Sequence, residues 1–255
     1  MALFNSSNPT LKDKIFVKEA QTTSNAGVMT INGTIGKTFL LLGMVILAGA
    51  VTWQMVMKAT TMSSVTPWMI GGAIGGFIMA MVVCFKPATA PWAAPVYAAL
   101  EGLFLGAISA FFELMFAESF PGIVITAVAI TLVTMLVMLS LYRSGIIKVT
   151  NKFRSVMLIA IGSVAAFYLV VIVLNLFKVA TPFIHGSSLL SIGISVVIVI
   201  IAALSLLLDF DFIEKGSAAG APKYMEWYGA FGLMVTLVWL YLEILKLLAK
   251  LANRN

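Results

Sequence analysis

Three carboxylates stand inside long apolar runs of this 255-residue chain, in a solvent that disfavours them. Glu101 lies in Tyr97-Ala98-Ala99-Leu100-Glu101-Gly102-Leu103-Phe104, Asp209 in Leu206-Leu207-Leu208-Asp209-Phe210-Asp211, and Glu243 in Trp239-Leu240-Tyr241-Leu242-Glu243-Ile244-Leu245-Lys246. A carboxylate in hydrocarbon must bind a proton, pair with a cation or meet water inside the protein, so the chemistry on offer is proton binding and cation passage. For Glu101, about ten residues into its apolar run, two readings stand: a neutral acid bonding a neighbouring helix, or an acid of an ion or proton path. Asp209 and Asp211, two apart on a helix, point to different faces and cannot line one site. Asp209 is expected to be the deeper, functional one; Asp211 and Glu214 read as a solvated helix end. Glu243 has Lys246 three residues on, so it either forms an ion pair along its own helix or faces the bundle while the lysine snorkels outward. Asp211, Lys246 and Arg143 are secondary candidates.

The elements that must position these acids are membrane helices. Hydrophobic residues make up 61% of the chain and charged residues 10%, which excludes a water-soluble domain of ordinary size. A bilayer core of about 30 Å takes about 20 apolar helical residues. Such spans are predicted near 38 to 57, 67 to 85, 92 to 116, 121 to 142, 155 to 177, 188 to 212 and 227 to 249. The expected fold is an all-α polytopic membrane protein, a bundle of seven transmembrane helices over 38 to 250, preceded by a polar arm over 1 to 37. Pro67, Pro91 and Pro121 fall near helix starts, where a missing N–H costs little. Glycine pairs at i and i+4, Gly71/Gly75, Gly72/Gly76 and Gly102/Gly106, predict close helix packing.

Eleven of the 16 Lys and Arg fall on the side of the N-terminal arm, which predicts the N-terminus inside and the C-terminus outside. The net charge of +6 then reflects topology and anionic lipid, with no nucleic-acid partner. The single cysteine, Cys84, excludes an internal disulfide framework, and the single histidine, His185, falls in an outer loop, so serine chemistry lacks a base. A retinal pigment is disfavoured because Lys246 lies near a helix end and the third span offers no aspartate counter-ion. No Gly-x-Gly-Asp segment, metal-ligand spacing or phosphate loop occurs, so no enzyme activity and no cofactor are expected.

Glu101-Gly102 in the third span, Asp209 closing the sixth and Leu240-Tyr241-Leu242-Glu243 in the last resemble the bacterial branch of the transmembrane BAX inhibitor motif family. The basic fourth loop, Leu141-Tyr142-Arg143-Ser144-Gly145-Ile146-Ile147-Lys148, is similar as well, and the resemblance runs from about residue 30 to the end. It implies a pH-modulated Ca²⁺ leak in the bacterial inner membrane. Asp209 and Glu243 would share a proton as sensor and bind Ca²⁺ transiently, and Glu101 would be a pore or coupling acid. It also implies an alternative: a non-conducting regulator that binds other membrane proteins, such as a quality-control protease, through the arm. The chain departs from the family pattern at Phe210-Asp211, where Thr-Gln is usual, and at Glu243, where Asp is usual. With the sixth span ending near 212 and the last starting near Trp227, Asp209 is expected near the inner surface and Glu243 about 24 Å along its helix.

Overall fold

The computed structural model describes residues 27–59, 64–179 and 186–254. Seven helices occupy nearly all of them: α1 (Ile31–Lys58), α2 (Thr66–Phe85), α3 (Ala90–Met115), α4 (Ile123–Arg143), α5 (Asn151–Leu176), α6 (Leu189–Ala218) and α7 (Met225–Ala252). All seven are long and apolar enough to cross a membrane, and the fold is a seven-helix membrane bundle. His185 and arm residues 1–26 lie outside the described residues.

Local chemistry sets the helix ends. Thr30, Thr150 and Ser188 are N-caps whose hydroxyls accept from the backbone N–H three residues on, at Gly33, Phe153 and Ser191. Pro67 and Pro91 sit in the first turns of α2 and α3. Glu113, near the end of α3, reaches over to the start of α4 and accepts from Gly122 N at 2.7 Å and Val124 N at 3.1 Å. The helix start therefore gains both a cap and a favourable negative charge.

Three helices run four or more residues beyond the spans predicted from hydropathy. α1 begins at Ile31 instead of 38, so residues 31–37 of the expected arm are its first two turns; α5 begins at Asn151 instead of 155; α6 continues to Ala218 instead of 212. Hydropathy measures where the chain is oily, and a helix continues past the oil wherever a cap or a salt bridge supports its last turns.

α7 is the axis of the bundle, with Met234, Leu240, Leu245 and Ile244 almost fully buried, and it packs against α1, α3, α4 and α6. α3 lies between α1 and α2. Gly102 and Gly106 face α1, where a Cβ on Gly106 would run into the Gly49 carbonyl and Thr52, so only glycine permits this approach. On the other side of α3, Gly72 lies against the Leu100 backbone, while Gly71 faces open space. α5 packs mainly against α6 and stays largely exposed to the surroundings.

Candidate functional site

Polar groups are arranged in three tiers along the bundle. The first is at the end that carries the start of α7. Glu226, with no exposed surface, accepts from Thr30 N at 2.9 Å, Thr30 Oγ1 at 2.8 Å and Lys223 Nζ at 2.7 Å, and is ion-paired to Lys37. This cluster holds the segment before α1 onto the α6–α7 turn, where Met29 N donates to Ala221 O at 2.7 Å and the Met29 side chain is buried against Gly216 and Gly229. Near the same end, Asp211 on α6 pairs with Arg154 of α5 at 2.7 Å and with Lys215, one turn on, at 2.8 Å.

The middle tier holds Asp209 and Glu101. Asp209 lies nine residues before the end of α6, about 14 Å inside. It faces α7, where the Thr236 hydroxyl is placed to donate to it and Gly232 leaves room beside it. Its Oδ2 is buried and has no hydrogen-bond partner. Glu101 lies eleven residues into α3, about 16 Å from the same end. Tyr97 of α3 stacks edge-on against Phe231 of α7 with centroids 5.0 Å apart, so the two helices start level and Glu101 and Thr236 share a depth. The Glu101 carboxyl is turned towards Gly76 of α2 and has no hydrogen bond or ion pair among the described residues.

The third tier is centred on Glu243, which is 2% exposed. The Tyr168 hydroxyl of α5 lies 2.8 and 2.9 Å from its two oxygens and donates to that carboxylate. Lys246 Nζ is 2.9 Å away and also stands 4.9 Å over the Tyr168 ring. Further along, Lys250 donates to Ser195 Oγ at 2.7 Å, and Ser109 of α3 is joined to Tyr241 of α7 at 2.6 Å.

The two acids read as a sensor are thus not in contact. Glu243 lies two turns beyond Thr236, the residue facing Asp209, a step of about 10 Å along α7. Asp209 is not near the surface, because α6 and its salt bridges extend beyond the apolar run. Asp211 is not a solvated end either: it is 4% exposed and ties α5 to α6. The opposite-face reading of Asp209 and Asp211 does hold, with one facing α7 and the other α5. Both readings of Glu243 and Lys246 hold together, since the acid is buried and paired while the lysine side chain stays 43% exposed. Arg143, last residue of α4, has no ion pair among the described residues; Arg154 plays that part. Among the described residues no three His, Cys, Asp or Glu side chains gather as a metal site, so Asp209 and Glu243 form no joint Ca²⁺ cage of the six to eight oxygens that ion takes.

Sequence reasoning missed Glu226, Tyr168 and Thr236. Glu226 carried one signal, a lysine three residues before it at the start of an apolar run. Tyr168 and Thr236 carried none, because single hydroxyls inside apolar spans are common and only the fold brings them to an acid.

Seven apolar helices, six of them around a central one, with buried acids at three depths, define a polytopic helical membrane protein. The sequence matches the family described as Bax inhibitor 1 like over residues 8–253, and the chain belongs to that family. No individual curated protein matches it.

Proposed function

We propose that the protein is a proton-modulated Ca²⁺ leak of the bacterial inner membrane, with its N-terminus in the cytoplasm. The observation that carries this reading is the Asp209 carboxyl, buried between α6 and α7 with one oxygen unsatisfied. An unpartnered ionised carboxylate is costly in that setting, so the closed bundle accommodates the neutral acid. Loss of the proton places a charge between two packed helices, and hydration of that charge requires α6 and α7 to separate. Glu101, unpaired at a similar depth, then provides a second anionic stop for a cation, and Glu243 a third once Lys246 swings to water. In this account Asp209 is the proton-binding group. Glu243, already held by Tyr168 and Lys246, is a fixed anion further along the path instead of a partner sharing its proton.

The test is Ca²⁺ entry into liposomes that contain the purified protein and an entrapped dye, measured from acid to alkaline pH. Flux should rise with pH as Asp209 ionises, and Glu101→Gln should lower it at every pH. Absence of flux throughout the range would sink the leak reading. It would favour a non-conducting regulator, for which the clamp of Thr30 on Glu226 is the supporting observation, since it anchors the segment just before α1 to the bundle.

A further inference from the structure

A groove of about 470 Å³ opens between α1 and α4, with α3 and α7 as its floor. Its walls are apolar, including Leu42, Val45, Ile46, Val128, Leu132 and Leu237. The polar groups that reach it from within the bundle are already satisfied: Ser109 and Tyr241 bond each other at 2.6 Å, and Thr131 Oγ1 donates to Ala127 O at 2.7 Å. A cavity whose polar groups need nothing further gives water no reason to stay, so the groove suits hydrocarbon.

The groove also has one polar mouth. From Leu42 to Gln54 it follows α1 for twelve residues, about 18 Å, which is close to the roughly 15 Å of hydrocarbon in one leaflet. At the Gln54 end it adjoins a second depression, lined by Ala50, Val51, Gln54, Met55 and Lys58. Gln54 and Lys58 are one turn apart on the same face of α1, both are exposed, and neither has a hydrogen bond or ion pair among the described residues. A cation and an amide donor therefore stand at headgroup level, at the open end of a dry slot one leaflet deep.

We propose that this groove binds one acyl chain of an anionic phospholipid, with the lipid phosphate on Lys58 and Gln54. A lone hydrocarbon face would take any lipid; the lysine at its mouth, without an ion pair among the described residues, selects negative charge. The chain would fill the space between α1 and α4 and lie against the Ser109–Tyr241 pair, so the lipid is a bound ligand instead of bulk solvent. This inference is independent of ion conduction.

Trp53 lines the groove and serves as the reporter. The protein with Trp68, Trp92, Trp227 and Trp239 changed to Phe is placed in nanodiscs, and quenching of Trp53 by brominated acyl chains is measured. One set carries the bromine on phosphatidylglycerol in unlabelled phosphatidylcholine, and the other reverses the label at equal mole fraction. Quenching by the anionic lipid should exceed that by the zwitterionic one about threefold at low mole fraction. Lys58→Gln should abolish the preference, and Val128→Phe, which fills the slot, should reduce quenching by both lipids. Equal quenching by both lipids, or a preference unchanged in Lys58→Gln, overturns the proposal. Native mass spectrometry of the wild-type chain gives a second readout that needs no tryptophan replacement. One retained phosphatidylglycerol, lost in Lys58→Gln, supports the site; a retained free fatty acid in its place, or no retained lipid, contradicts it.

Discussion

At the scale of the residue, the buried acids divide into those with partners and those without. Glu226, Asp211 and Glu243 each receive two or more donors, and each joins separate segments of the chain. Removing such an acid leaves cations near the bundle with nothing to meet. Glu226→Ala should therefore cost about 2 kcal/mol in an unfolding titration in mixed micelles, below the roughly 3–5 kcal/mol of a fully buried broken pair because Lys223 reaches water. Glu226→Gln, which keeps the shape and still accepts from Thr30, should cost less. Asp209 and Glu101 lack such partners, which is why they carry the functional reading. Their residue types, and the depth of Glu101, were visible in the sequence; the depth of Asp209 was not. Which of them would be paired was not, because the partners Thr236, Tyr168 and Arg154 come from other helices at separations that no local pattern encodes.

At the scale of the element, the bundle is set by where helices approach and where they are held apart. The α1–α3 contact depends on Gly49, Gly102 and Gly106, and Gly106→Val should lower thermal stability in detergent by several degrees or abolish folding. Gly71→Ala, at a glycine with no neighbour within 4 Å, should leave it unchanged or slightly raised. Glycine spacing revealed close packing in α2 and α3 but not which glycine met which helix: Gly72 is at an interface and Gly71 is not. Helix number and order were legible because about 20 apolar residues is a physical requirement for crossing a bilayer. Helix ends were less so. The first two turns of α1 and the last two of α6 are held by the Glu226 and Asp211 clusters, and hydropathy does not register such support. That shortfall led to Asp209 being expected near a surface.

At the scale of the whole molecule, α5 is the outer helix, packed mainly on α6 and held by two polar ties, Arg154–Asp211 to α6 and Tyr168–Glu243 to α7. Breaking both with Arg154→Gln and Tyr168→Phe should raise amide hydrogen exchange along α5 while α7 stays protected, since the α7 core is built from the other helices. A bundle with a firm axis and a weakly attached outer helix can widen on one side without unfolding, which suits a leak better than a rigid pore. In the proposed mechanism one proton on Asp209 governs the separation of α6 from α7, and Ca²⁺ flux through Asp209→Asn in liposomes tests this most directly. Because asparagine cannot ionise, the account predicts flux that stays at the low acid-side level of the wild type at every pH, while Glu243→Gln keeps its rise with pH. An Asp209→Asn protein whose flux climbs with pH as the wild type's does would contradict it.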